Sequence, residues 1–119
     1  NSIYREQSLL IKELAEKSDC VIVGRSADYI LRDKKPLRLF IYADIESRME
    51  RCKKRAPEQE HFTDKELRRH ILDIDKKRGK YYQFFTGQNW GEKLNYDWCI
   101  NTSDADIEAV VDVIARLLK

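Results

Sequence analysis

Apolar and polar positions repeat along this chain with two different periods, and the changes of period mark out its elements. Residues 2–17 set Ile3, Leu10, Ile11 and Leu14 at helical spacing among Lys and Glu, which predicts an amphipathic helix. Ser18 and Asp19 interrupt it. The run Cys20-Val21-Ile22-Val23 then ends abruptly in Gly24-Arg25. Short, unbroken apolar runs of this kind read as parallel strands buried on both faces. Gly24 permits a sharp turn at the carboxyl end of that strand, where open α/β sheets bind their ligands. The alternative is a strand that simply stops at a solvent-facing arginine.

Ala27, Ile30 and Leu31 suggest a short helix, closed by Asp33-Lys34-Lys35-Pro36. Residues 37–42 form a second expected strand, and Asp44 can cap a helix from Ile45 to about Arg55. Residues 56–62 are polar and aperiodic, as in a mobile loop. Thr63-Asp64-Lys65-Glu66 is a capping box, and the helix it opens carries Leu67, Ile71, Leu72 and Ile74 and should end near Gly79. An aromatic cluster (Tyr81, Tyr82, Phe84, Phe85) and a turn at 86–91 precede a third strand at 96–100. Ile107, Val110, Val111, Ile114, Leu117 and Leu118 give the last helix one apolar stripe. Strands separated by helices imply an α/β fold, a parallel sheet flanked by helices, as one domain over residues 1–119.

The 119 residues suffice for one modest core. Charged residues reach 37%, yet 23 Lys and Arg against 21 Asp and Glu leave a net charge of only +2. That balance offers no global case for nucleic acid or a membrane surface, so any basic site must be local. Cys20, Cys52 and Cys99 lack metal-ligand spacing and read as reduced, structural thiols in a cytoplasm. His61 and His70 have no partners at metal or triad spacing. Nowhere does a Gly-x-x-x-x-Gly-Lys-Ser/Thr phosphate loop occur.

Candidate chemistry gathers on two helices. Arg48, Arg51 and Arg55 recur at i, i+3 and i+7 and so share a face beside the polar loop. Such a row can close over a polyphosphate, or it can be a solvated face paired with Glu46 and Glu50. Asp75 and Arg78 lie one turn apart. An Asp can bind a nucleobase amino group and an Arg can grip a phosphate bidentately, but these two can equally pair with each other. The aromatic cluster and Trp90 read as core, with one tyrosine at the ligand-facing end.

Taken in order, these pieces resemble the cytidylate kinase-like family of nucleoside monophosphate kinases. The resemblance is carried by Cys20–Arg25 with Ala27–Leu31, Leu39–Ala43, Arg48 and Arg51, and Ile74-Asp75-Lys76-Lys77-Arg78. It continues through Tyr81-Tyr82, Thr86-Gly87, Trp90-Gly91, Asn95–Asp97 and Ile100–Ser103. It implies a P-loop kinase fold with a helical lid at about 48–64, and transfer of the ATP γ-phosphoryl group, with Mg²⁺, to a nucleoside monophosphate such as CMP. By the same resemblance Arg25 would hold the acceptor's phosphate and Asp75 and Arg78 would contact the acceptor nucleotide. Arg48, Arg51 and Arg55 would contact the transferring phosphates, and Asn101, Thr102 and Ser103 would lie near the adenine, with no metal ligand in the chain. Cytidylate kinases proper read Gly-Arg-Asp, whereas Ser26 follows Arg25 here and the acid comes at Asp28. The family's P-loop strand and helix would precede Asn1, so residues 1–119 by themselves are expected to be inactive. A non-catalytic nucleotide-binding domain on the same scaffold is the alternative, and a nucleic-acid module built on the arginine row is a third.

Overall fold

The computed structural model describes residues 2–55 and 62–118. Its elements are α1 (Ser2–Lys17), α2 (Ala27–Ile30), β1 (Leu39–Tyr42), α3 (Ile45–Arg55), α4 (Asp64–Thr86), β2 (Trp98–Asn101) and α5 (Ile107–Leu117), with 3-10 turns at Arg32–Lys34 and Lys93–Asn95. The polar loop expected as the moving part of a lid lies, from residue 56 to residue 61, outside the described residues.

The longest element, α4, begins at its capping box: Glu66 N donates to Thr63 Oγ1 at 3.1 Å, and Thr63 N donates to Glu66 Oε1 at 2.9 Å. Contrary to expectation it does not end near Gly79. It continues for 23 residues, so the aromatic cluster is helical, and closes at Gly87, whose φ of 73° forms a left-handed cap. One internal glycine weakens a helix by about 1 kcal/mol. That is too little to end a helix that buries Leu67, Ile71 and Tyr82 along its length.

The sheet is smaller than the sequence suggests. β1 and β2 pair directly in parallel, Leu39 opposite Trp98 and Tyr42 opposite Asn101. Leu39, Ile41, Trp98 and Ile100 therefore share one face and Phe40, Tyr42, Cys99 and Asn101 the other. The expected strand at 20–24 finds no ladder partner among the described residues. Ile22 packs on the core, while Val21 is 90% and Val23 87% exposed. A strand exists only through hydrogen bonds to a neighbour, and among the described residues neither β1 nor β2 offers its outer edge to this run. The arrangement is an α/β fold with a two-stranded parallel sheet.

Beside the residues buried along α4, one small buried cluster packs Ile11 of α1 on Ala27, Ile30 and Leu31. The inward stripe of α1 thus runs through Tyr4, Ile11 and Ala15, leaving Ile3, Leu10 and Leu14 exposed instead of the expected face. Tyr4 also stacks on Phe85, ring centroids 4.1 Å apart, which ties α1 to the end of α4. The α5 stripe buries no residue. Cys99 lies in a strand as expected and Cys20 does not, and both are exposed. The radius of gyration, 16.2 Å, exceeds the roughly 13.5 Å of a compact chain of this length, in keeping with so thin a core. No described helix is long and apolar enough to cross a membrane.

The two glycines of α4 should respond oppositely to alanine. An added Cβ at Gly79 meets its nearest neighbour, Trp90, at 3.9 Å, an ordinary contact in a helical position. Gly79→Ala should therefore raise the urea midpoint by the equivalent of about 1 kcal/mol. Gly87→Ala meets no atom within 4 Å but must hold a positive φ, and should lower it by about 1–2 kcal/mol.

Candidate functional site

The carboxyl ends of β1 and β2 are locked together by polar groups. Thr102, 2% exposed, donates its N–H to Tyr42 O at 2.8 Å and its hydroxyl to the same oxygen at 3.0 Å. Arg51 reaches back from α3 to this point, its Nη1 donating to Thr102 Oγ1 at 3.0 Å and its Nη2 to Thr102 O. Next door, Asp44 caps α3 as expected, accepting from Ser47 N at 2.7 Å. Ser103 Oγ accepts from Asp44 N at 2.8 Å and donates to Asn101 Oδ1 at 2.6 Å. The Asp44 carboxyl is held below the usual carboxylate range, first by the Ser47 hydrogen bonds.

One turn before Arg51, Arg48 projects from the same helix onto α4. Its two terminal nitrogens donate to both oxygens of Asp75, at 2.5 and 2.9 Å, the fork-to-fork geometry of a strong charge-assisted pair. Arg78 adds a third bond to Asp75 Oδ1 at 3.2 Å. The Asp75 carboxylate raises Arg48 above the usual arginine value. Two guanidiniums around one carboxylate leave this half-buried cluster net positive. The arginine row is therefore split by function: Arg48 binds Asp75, Arg51 binds Thr102, and Arg55 is exposed. Neither Glu46 nor Glu50 pairs with the row; they meet Arg68 and Lys54.

Gly24, Arg25 and Ser26 form a turn in which all three residues have positive φ, 70°, 58° and 56°. For the two that are not glycine this conformation costs roughly 1–2 kcal/mol each. The Arg25 side chain is exposed and makes no hydrogen bond or ion pair among the described residues. Ser26 is buried, and its hydroxyl is without a hydrogen-bond partner. Three residues past Arg25, Asp28 Oδ2 accepts from the Tyr82 hydroxyl at 2.7 Å. Tyr82 stands on α4 at i+4 from Arg78 and i+7 from Asp75, on the same side of the helix. The turn that carries Arg25 is thus fastened to the α4 face that carries Asp75 and Arg78.

Sequence reasoning passed over two contributors. Tyr82 read as core, because nothing in the pattern showed that its hydroxyl would meet Asp28. Burial and the Asp28 carboxylate push that phenol well above the usual tyrosine range. Arg38 and Asp97 form a two-pronged pair at the opposite, amino ends of the strands, with Arg38 N and Nη2 donating to Asp97 at 2.7 and 3.3 Å. An Asp just before a strand and an Arg just before its partner was the available signal.

Two parallel strands whose carboxyl ends adjoin a net-positive cluster of Arg48, Asp75 and Arg78, flanked by helices, define an α/β protein. The chain belongs to the cytidylate kinase-like family, which its residues 1–104 match. It is 31% identical over 111 residues to a cytidylate kinase of Archaeoglobus fulgidus, covering 91% of this chain and 58% of that protein. It also superposes on the crystal structure of an uncharacterized protein from Eubacterium ventriosum, with a TM-score of 0.86 and 30% identity, over 97% of this chain and 64% of that one. The chain thus spans about three-fifths of the length of each of these relatives.

The Arg38 hydrogen bonds hold the Asp97 carboxyl below its ordinary range. A carboxyl with a depressed folded pKa stabilises the fold above its unfolded value, about 3.9, and loses that contribution as pH falls through the folded one. Wild type should therefore exceed Asp97→Asn in denaturant midpoint at pH 7. The gap should narrow as pH falls below about 4, read from urea titrations at a series of pH values.

Proposed function

We propose that the intact protein is a nucleoside monophosphate kinase, passing the γ-phosphoryl group of ATP to a nucleoside monophosphate, with CMP the expected acceptor. The observation that carries this reading is the bonded cluster of Arg48, Asp75 and Arg78, fastened through Tyr82 to the Arg25 turn, in a chain of the cytidylate kinase-like family. In the reaction an oxygen of the acceptor phosphate attacks the γ-phosphorus. A new P–O bond forms as the bond to the β,γ-bridging oxygen breaks, and ADP leaves. Little covalent help is needed, so the protein's work is positioning and charge stabilisation.

On this reading Arg25 grips the acceptor phosphate through its guanidinium fork, which its exposure and lack of a described partner leave available. Arg78 and Asp75 face the acceptor nucleotide. Arg48, Arg51 and Arg55 set positive charge where negative charge spreads over the transferring phosphate. Because Asn101 and Ser103 hold each other's side chains, the adenine would meet this segment mainly through its backbone. Mg²⁺ would enter on the ATP phosphates. No three His, Cys, Asp or Glu side chains converge as metal ligands among the described residues, and no step is assigned to the ion. A P-loop NTPase-like sheet in the intact protein and a cytoplasmic setting belong to the same reading. Its partners are ATP and the acceptor, with neither nucleic acid nor membrane required.

A second reading, a non-catalytic nucleotide-binding domain, is favoured by the internal engagement of Arg48 with Asp75 and of Arg51 with Thr102. Incubating the intact protein with ATP, Mg²⁺ and CMP separates the two. Formation of ADP and CDP supports the kinase; nucleotide binding without either product supports the second reading.

Two substitutions extend that assay. Arg25→Ala should raise KM for the acceptor about 10–100-fold, the loss of one or two charge-assisted hydrogen bonds, with a small change in melting temperature. Arg51→Ala should lower kcat more than it raises either KM. Unchanged kinetics in both variants would remove the roles assigned to Arg25 and Arg51.

A further inference from the structure

The Gly24–Ser26 turn is costly to hold and has little of its own to hold it. Two non-glycine residues in succession have positive φ, and the backbone bonds at the turn are Ala27 N to Gly24 O at 3.2 Å and, from α2, Tyr29 N and Ile30 N to Ser26 O at 3.1 and 2.9 Å. The Ser26 hydroxyl is buried with no hydrogen-bond partner among the described residues. Strained backbone of this kind persists only where its surroundings over-determine it. The four-residue α2 that follows is too short to be rigid alone.

Two anchors act on α2. One side is apolar: Ala27, Ile30 and Leu31 pack on Ile11 of α1. The other is Asp28, which accepts from the Tyr82 hydroxyl at 2.7 Å, while the phenol oxygen also lies 2.9 Å from the Gln88 side-chain amide. Tyr82 is only 5% exposed, so this bond to a carboxylate is largely shielded from water. Gln88 is fixed in turn by its own N–H, which donates to Thr86 Oγ1 at 3.0 Å, and Thr86 Oγ1 donates to Tyr82 O at 2.6 Å. The phenol therefore belongs to a braced network at the end of α4, and the network's one connection to α2 is Asp28. Apolar packing on α1 sets where α2 lies and which face it turns inward. The Tyr82–Asp28 bond ties α2, and the Arg25 turn just before it, to α4.

We propose that Tyr82 is a positioning residue for acceptor binding: through Asp28 it holds the strained Gly24-Arg25-Ser26 turn so that Arg25 faces the same ligand as Arg78. This inference rests on the kinase reading, because it gives Arg25 an acceptor phosphate to hold. Tyr82 touches neither substrate; it acts on affinity through a turn whose backbone would otherwise relax.

The test is a double-mutant cycle in the intact protein: wild type, Arg25→Ala, Tyr82→Phe and the pair, with KM for CMP and kcat measured at saturating ATP. Tyr82→Phe keeps the ring and removes the bond to Asp28. It should raise KM about tenfold with kcat changed less than about threefold. In the Arg25→Ala background the same change should add less than about twofold, since the residue it positions is gone. Asp28→Asn, which keeps a neutral acceptor, should give a smaller rise in KM than Tyr82→Phe, and it replaces that variant in the cycle should Tyr82→Phe fail to fold. An unchanged KM in Tyr82→Phe beside a raised KM in Arg25→Ala would overturn the role of Tyr82 and leave the kinase reading standing. So would rises in KM that simply multiply in the pair. An unchanged KM in Arg25→Ala would instead remove the function assigned to Arg25 itself, and the positioning role with it.

Discussion

Two parallel strands of four residues each bury too little to stand alone, and what makes them part of a larger structure is the polar lock at Thr102. Its amide continues the β ladder to Tyr42, its hydroxyl doubles that bond, and Arg51 brings α3 onto the same residue. Every other polar feature at this end hangs on that point: the Asp44 cap, the Ser103 bridge, and the direction in which α3 leaves the sheet. An unpaired carbonyl or hydroxyl here would be shut away from water, so the bonds are obligatory rather than decorative.

From that lock the connections run outward along α4. Arg48 joins α3 to Asp75, Arg78 closes on the same carboxylate, and one turn further Tyr82 joins the Arg25 turn. Helical spacing turns a sequence interval of seven residues into a single face, so three separate segments of chain meet there. These connections are polar and hold the elements by direction. The apolar cluster around Ile11 is small, and α5 and the Val21 and Val23 side chains stay exposed. The site is therefore joined by hydrogen bonds and ion pairs, beside apolar burial around Ile11 and along α4 at Leu67, Ile71 and Tyr82.

This division explains which parts were readable beforehand. The capping box of α4 and the Asp44 cap of α3 depend on neighbours within four residues, and each appears where the pattern put it. The run at 20–24 has the right composition for a buried strand, yet pairing requires a neighbour from elsewhere in the chain, and composition says nothing of whether one is free. Gly79 misled because its cost to a helix is local and small, whereas the burial of Tyr82 beyond it is tertiary. The inward face of α1 was misjudged for a similar reason. Its apolar residues cover more than one stripe, and the contact with Ala27 and Ile30 selected the one through Ile11.

The site shows the same boundary. Family resemblance, read from short motifs in order, was enough to single out Arg25, Arg48, Arg51, Asp75 and Arg78, because those motifs are contiguous and carry their meaning in residue type. Sequence by itself thus determined where the helices begin, their amino-terminal caps and the family. Only the tertiary structure decided that Arg48 would join Asp75, that Arg51 would close on Thr102, and that the Tyr82 phenol would fasten the Arg25 turn. Those are contacts between side chains 27, 51 and 54 positions apart. Their existence follows from how whole elements pack, a property that no window of neighbouring residues contains.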